Sequence, residues 1–363
     1  KKLKRFGLTG LFSNIIMVKD KIETVLGPAD PNELQRTLTH EHVCMDFVKH
    51  FVPASEAHQD MVNCPFTLEN LNWIRHNPYS HAPNLVLCNE TEAVVHDLKS
   101  FKKTGGSTIV ENSSIGLSRN VKQMKYISEQ SGVNIVCGTG YYVERQLTDE
   151  MKAQSVEEMT KKIVSEVTTG IDNTNVKAGI IGEIGCSWPL TEVEKRSISA
   201  AAIAQSQTQT PVMIHPGRNP SSPGNILRIF QEAGGDATRT VMAHLDRTLL
   251  KNTDLLEFAK LGTYLEYDLF GIEISYYQFA TEVDFPSDAQ RIEKVSLLIS
   301  EGYGDRLLFA HDIHTNHRLT KYGGHGFAHI FDQVVPKMLE KGISQNAIDK
   351  ILISNPKTWL TYS

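Results

Sequence analysis

Six residues of the kinds that bind metal ions stand at the ends of short apolar runs in this chain: His40, His42, Glu183, His215, His244 and Asp312. The first two share Thr37–His42, and the last closes Leu307–Asp312. A single His after one such run means little. Ligand-type residues after several separate runs suggest one buried polar centre assembled from distant parts of the chain. His40 and His42 are two apart, so on an extended strand both rings share a face and Glu41 points the other way. Such a pair can grip one ion. Read singly, each residue has an ordinary explanation: a satisfied histidine, or a helix cap at Asp312. Glu183 within Gly182–Gly185 is harder to explain away, because a buried carboxylate is costly without a partner.

The elements must bring these positions together. Eight β-like runs can be marked: Arg36–His40, Ser107–Glu111, Asn134–Gly138, Gly179–Glu183, Pro211–His215, Thr240–His244, Thr263–Tyr267 and Arg306–His311. They are mostly β-branched or apolar, as strands covered on both faces should be, and Thr240–His244 is the weakest. Apolar residues recur at helical spacing between them: Val156 to Val167 before Gly170, Ile226 to Phe230 before Gly234, Leu255 to Ala259 before Gly262, and Ile292 to Leu298 before Gly302. A glycine just past the last periodic residue is a usual helix stop. Strand alternating with helix predicts an α/β fold, a (β/α)8 TIM barrel. Ile22, Val25 and Leu26 with Gly27-Pro28 predict an N-terminal β-hairpin, Val48–Asn89 a long insertion after strand 1, and Gln345–Ile353 a last helix stopping near Asn355-Pro356. Residues 17–363 read as one barrel domain. Residues 1–16 are basic and free of acids, and read as an extension ahead of it. A leader, an upstream extension and a remnant of added sequence all fit that stretch.

A barrel places its active site at the C-terminal ends of its strands, where all six residues fall. Strand 8 neighbours strand 1 on closure, so Asp312 joins His40 and His42 around one ion. His215 and His244 lie on neighbouring strands 5 and 6 and can hold a second. Glu183, with two oxygens, can bridge the two. Nitrogen and oxygen donors suit Zn2+, with Mn2+, Co2+ and Fe2+ as alternatives. Tyr142 follows the third run, and Tyr267 with Asp268 closes the seventh. Arg218 and Arg247 each follow a ligand His by three residues. Either guanidinium could fork onto an anionic substrate or form a loop ion pair. Tyr142, Arg218, Arg247 and Tyr267 are therefore the candidate substrate contacts, Tyr142 having rim packing as its other reading and Asp268 an Arg-orienting or turn-capping role. His50, His58, His76, His81 and His96 read as solvent-exposed, His314 as a candidate contact, and Cys186 as a packed thiol.

Composition narrows the classes. In 363 residues the formal charge is -5, so the chain lacks the basic balance that nucleic acid binding needs. No apolar run approaches the length of a membrane span. Five cysteines without a CxxC spacing argue against a disulfide framework and suit the cytoplasm.

Several longer blocks carry a resemblance: Thr37–His42, Gly179–Leu190 (GIIGEIGCSWPL), Ile214–Arg218 (IHPGR), His244–Arg247 (HLDR), Leu265–Gly271 (LEYDLFG), Ala310–His314 (AHDIH) and Lys321–Gly326 (KYGGHG). Together they resemble the phosphotriesterase-like branch of the amidohydrolase superfamily, from about Met17 to the C-terminus. The founding phosphotriesterases bridge their metals with a carbamylated lysine on strand 4, where this chain carries Glu183. A carboxylate also offers two oxygens and one negative charge, so the bridge survives, but efficient organophosphate hydrolysis is put in doubt. The resemblance implies two divalent ions per subunit sharing a bridging hydroxide. That hydroxide would attack an amide carbonyl, with Asp312 as proton shuttle and Glu183 as bridge. It implies a small anionic N-acyl substrate, N-acetyltaurine split to taurine and acetate, with other N-acyl amino acids as further substrates. A tyrosine near position 142 faces the metals in lactonase relatives. Homodimers are frequent among relatives, and no patch in this sequence is diagnostic of one. A lactonase or phosphotriesterase-type esterase could use the same centre. A non-catalytic binding barrel is the remaining alternative, disfavoured because all six ligand positions are filled.

Overall fold

The computed structural model describes residues 20–274 and 276–361, so the expected extension at residues 1–16 lies outside the described residues. Strands β1 (Ile22–Thr24) and β2 (Gly27–Ala29) form the expected antiparallel hairpin. Eight strands follow: β3 (Arg36–Glu41), β4 (Gly106–Glu111), β5 (Asn134–Thr139), β6 (Ile180–Gly185), β7 (Val212–His215), β8 (Thr240–Met242), β9 (Tyr264–Tyr267) and β10 (Leu307–Phe309). They pair in parallel, each with the next in chain order. β10 then comes round to β3, where Thr39 Oγ1 donates to Phe309 O at 3.2 Å and Asp312 N to His40 O at 3.1 Å. The sheet is thus a nearly closed eight-stranded barrel with helices between its strands.

Helices form where the apolar spacing predicts them, at Val156–Thr168, Ser222–Glu232, Asn252–Ala259 and Asp288–Ser300. Ser155 starts the first of these with a reciprocal cap, its Oγ accepting from Glu158 N while Glu158 reaches back to Ser155 N. One buried cluster joins Val110, Val136, Ile180, Met213, Val241 and Leu308 from six strands to Ile22 of the hairpin and to Trp359. The hairpin is fastened to the N-terminal end of the barrel by Val25 N donating to Ile135 O at 2.9 Å. At the other end the chain after β3 makes the long insertion, with one helix at Leu68–His76. Tyr79 N donates to Gln278 Oε1 at 3.0 Å and Gln278 Nε2 to Ser80 Oγ at 2.7 Å, so the insertion is latched to the loop after β9.

Several boundaries differ from the sequence expectation by a residue or two, β6 running to Gly185 rather than Glu183, and three of the differences have a local reason. β8 ends at Met242 rather than His244, because His244 N donates to Asp268 Oδ2 at 3.0 Å instead of continuing the ladder. β10 ends at Phe309 rather than His311, whose N–H donates to Glu41 Oε1 at 2.8 Å. The last helical run continues past Asn355-Pro356 to Leu360. Pro356 lies in a first turn, where its missing N–H costs little, and Asn355 Nδ2 docks on Gly304 O and Leu307 O, both at 2.9 Å. Glycine is required at 182: its φ is +151° and a Cβ there would lie 2.6 Å from Met213 O, so β6 and β7 could not approach beside Glu183.

A buried ion pair braces this side of the barrel. Arg119 donates to both oxygens of Glu166 at 2.9 Å and to Gly138 O at 3.0 Å. Burial pushes the Glu166 carboxyl up, but Arg119, Thr139 and Lys162 outweigh it and hold it below the usual range. A depressed carboxylate contributes stability above its unfolded pKa, about 4.3, and loses it as pH falls through the lower folded value. We expect the urea midpoint to fall with acid in that window. Glu166→Gln should be less stable at neutral pH and show a shallower fall; equal slopes would exclude this linkage.

Candidate metal centre

The C-terminal ends of the barrel strands bring the six ligand-type residues together. One group consists of His40, His42 and Asp312, and another of Glu183, His215 and His244. His42 Nε2 lies 3.2 Å from Asp312 Oδ1 and 3.5 Å from Glu183 Oε1. His40 Nε2 lies 3.5 Å from Glu183 Oε2 and 3.9 Å from Asp312 Oδ1. Two donors each about 2.1 Å from one tetrahedral ion stand about 3.4 Å apart, so this group fits a cation. His40 Nε2 is moreover fully buried without a hydrogen-bond partner, an orphan that a cation would satisfy. The second group is tighter. His215 Nδ1 is 2.8 Å from Glu183 Oε2 and 2.9 Å from His244 Nε2, with 3.8 Å between His244 Nε2 and Glu183 Oε2. Glu183 stands between the two groups, with one oxygen toward His42 and the other toward His40, His215 and His244.

Buried acids behind the rings of His40 and His244, and behind His42 through Ser113, leave a donor nitrogen of each facing the centre, while His215 has Arg247 behind it. Asp268 Oδ1 is 2.8 Å from His244 Nδ1, and its Oδ2 is 3.0 Å from His40 Nδ1. Two histidines, one from each group, are thus turned by one carboxylate. His42 Nδ1 lies 3.0 Å from Ser113 Oγ, which donates to Glu111 Oε1 at 2.6 Å. Glu41, pointing away as expected, accepts from His311 Nδ1 at 2.7 Å and from Ile313 N at 3.1 Å, which anchors the loop carrying Asp312. Charge is concentrated accordingly. Burial pushes the Glu183 and Asp312 carboxyls up, but neighbouring histidines outweigh it, His40 foremost at Glu183 and His314 at Asp312, and both are held well below the usual range. Asp268 does not orient an arginine. It serves histidines, a role readable only once strands β3, β8 and β9 meet.

A narrow cavity opens onto both groups. Of the expected substrate contacts, Tyr142, Arg218 and Arg247 line it and Tyr267 does not. Glu266 and Asp268 reach His40, at 3.9 and 3.0 Å, so the alternation of β9 turns Tyr267 to the opposite face, toward Asp246 and Arg291. Tyr267 is therefore withdrawn as a substrate contact. The Tyr142 ring stands 5.2 Å from that of His215. His314 also lines the cavity, its Nδ1 3.2 Å from Asp312 Oδ2 and its Nε2 3.0 Å from Tyr79 Oη. Much of the remaining wall comes from residues that periodicity did not single out, among them Phe47 and Tyr79 before and within the insertion, Tyr277 and Phe279 in the loop after β9, and Arg318. Two histidines read as exposed are not. His50 stacks on Phe47 at 4.2 Å, and His81 is buried with Nε2 2.7 Å from Cys64 O. Cys186 is a buried free thiol, as expected.

Parallel (β/α)8 architecture with clustered His and carboxylate donors at the strand ends defines a barrel hydrolase of the metal-site type. The profile of the Phosphotriesterase family matches residues 20–360, and the chain belongs to that family. It is 53% identical over 342 residues to the N-acetyltaurine hydrolase of Bos taurus, covering 94% of this chain and 98% of the relative. The Danio rerio protein of the same name is 51% identical over 345 residues, covering 95% and 99%. A phosphotriesterase-related protein of Nematostella vectensis is 52% identical over 351 residues, covering 95% and 100%. Among solved structures, a resiniferatoxin-binding protein from Rhodobacter sphaeroides superposes with a TM-score of 0.91 at 30% identity, over 94% of this chain and 95% of that one. These relationships make the chain a hydrolytic enzyme acting on a small molecule. Among the described residues no helix is long and apolar enough to cross a membrane, and the five cysteines are free.

Proposed function

We propose that the chain is a metal-dependent amidohydrolase that cleaves N-acetyltaurine to taurine and acetate, with other anionic N-acyl amino acids as further substrates. The observation that carries this reading is one cavity lined by five of the six donors, with His40 just behind them, beside Arg218 and Arg247, which lack a carboxylate partner among the described residues. Two divalent ions, zinc in the first instance, would supply a nucleophilic hydroxide at neutral pH and polarise the scissile carbonyl. His40, His42 and Asp312 would hold one ion, His215 and His244 the other, and Glu183 would join them. Asp312 Oδ1 stands at the first group and Oδ2 beside His314, which supports the reading that this carboxylate would carry a proton from nucleophile to leaving nitrogen. Tyr142 and the aromatic wall would exclude water around the acyl group.

Arg218 and Arg247 account for the anion. Arg218 Nε donates to Tyr277 Oη at 2.6 Å, and its guanidinium lies over the Tyr277 and Phe279 rings at 5.2 and 5.0 Å. Arg247 donates to Pro216 O at 3.1 Å. Burial, then the charge of Arg218, hold the Arg247 pKa below its ordinary value, a cost to the charged guanidinium that a bound sulfonate would relieve. Arg218→Gln should raise KM for N-acetyltaurine about tenfold, the loss of one charged hydrogen bond of about 1.5 kcal/mol. A neutral N-acyl amide should be unaffected. An equal loss on both substrates would point to damaged packing instead.

The proposal is tested by incubating metal-quantified protein with N-acetyltaurine and measuring taurine, beside a panel of lactones and phosphotriesters. Taurine release dependent on metal supports it. Turnover of lactones or phosphotriesters alone would replace the substrate and keep the centre. The five free thiols suit a reducing compartment, and the cytoplasm is the proposed location. Assembly as a homodimer is carried forward as an expectation, to be read from the mass in solution.

A further inference from the structure

Two cysteines outside the metal centre face each other across the base of the insertion. Cys44 leads into the insertion and Cys88 stands near its end. The chain runs antiparallel to itself between them, with Asp46 bridged to Val86, Phe47 N donating to Leu85 O at 2.9 Å and Cys88 N to Met45 O at 3.3 Å. Beyond that bridge Cys88 lies in a short 3-10 helix, Leu87–Asn89, and its thiol is in contact with that of Cys44. Gln123 holds both: the Cys44 thiol donates to its Oε1 at 3.0 Å, and its Nε2 donates to Cys88 O at 2.8 Å. Cys44 is buried, whereas Cys88 is partly open to solvent. The Cys44 thiol holds the Cys88 pKa below its ordinary value, against the effect of burial. The pair therefore has an accessible thiol and a protected one beside it, the arrangement a two-step oxidation needs.

We propose that Cys44 and Cys88 form a reversible oxidation site whose reactant is a hydroperoxide. The Cys88 thiolate attacks the outer peroxide oxygen, the O–O bond breaks, and Cys88 becomes a sulfenic acid while water or an alcohol leaves. The Cys44 sulfur then attacks the Cys88 sulfur. The S–S bond forms, the S–OH bond breaks, and the hydroxide leaves as water with the Cys44 proton. Two thiols are oxidised and one peroxide is reduced. The link would close residues 44–88 into a covalent loop and tie the insertion to the strand end that carries His40 and His42. A dithiol reductant reverses it. This site stands independently of the substrate proposed above.

The test uses the reduced full chain treated with hydrogen peroxide, then alkylated, digested and mapped by mass spectrometry. The expected product has lost two hydrogens, yields a linked peptide pair containing Cys44 and Cys88, and reverts with dithiothreitol. Cys88→Ser and Cys88→Ala should both abolish the link, and Cys64→Ser should leave it in place. A Cys88 sulfinic acid with Cys44 still reduced would overturn the proposal. So would a link between another pair of cysteines, or unchanged thiols under conditions that oxidise free cysteine.

Discussion

Asp312→Asn is expected to lower kcat on N-acetyltaurine by about 10²- to 10⁴-fold, the usual contribution of a positioned proton carrier, without emptying the centre. The backbone explains why this carboxylate is so well placed. Asp312 adopts a left-handed φ of 53°, its N–H is taken by His40 O, and its carbonyl accepts from Arg318 Nη1 at 2.6 Å. His314 Nδ1 lies 2.8 Å from the same carbonyl. With the main chain held at both ends, the side chain has one direction, toward His42 Nε2 at 3.2 Å. An amide keeps that shape and one oxygen donor but cannot accept and release a proton. Glu183→Gln should behave differently. It removes the charge that faces four histidines, so metal content and activity should fall together. Metal quantification beside kcat separates the two cases. If the Asp312→Asn enzyme loses metal in proportion to rate, Asp312 is a ligand only and the proton-transfer role fails.

Asp268→Asn should weaken metal affinity about 10- to 100-fold, the range seen when a partner behind ligating histidines is removed. The expectation is at the upper end because Asp268 faces two rings, His40 and His244, and also accepts from His244 N. Burial pushes the Asp268 carboxyl up, but His244 and His40 outweigh it and hold it below the usual range. An amide in its place turns one ring wrongly or leaves one Nδ1–H unpaired. Competition with a chelator of known affinity measures the loss. Unchanged affinity would mean that the rings are oriented by packing alone.

Much of the fold was legible because its signals are local. Each barrel strand is an apolar run, and four of the helices repeat at 3.6 residues with a glycine just past the stop, whereas the longest, Glu192–Thr208, ends on Gln209 and carried no such signal. The errors fall where a side chain from elsewhere intercepts a backbone group. Glu41 takes the N–H of His311 and Asp268 that of His244, so two strands end early although their residues still read as strand. Tyr267 was misassigned because a strand end has two faces. Which one points inward follows from the register of β9, fixed by Glu266 and Asp268 inside the barrel.

The six donors were visible because parallel strands deliver their C-terminal residues to one rim, so position along a strand already implies position in space. Neighbouring strands also implied the two groups and the position of Glu183 between them. What the linear chain left open was everything that depends on barrel closure and on loops meeting loops. One aspartate behind two histidines, an arginine cradled by Tyr277 and Phe279, and an insertion latched to Gln278 have no periodic signature. They arise from contacts between segments about 200 residues apart, such as Tyr79 with Gln278. Local spacing therefore determined the frame and its candidate ligands, and tertiary packing decided their orientation, their charge and the shape of the pocket they face.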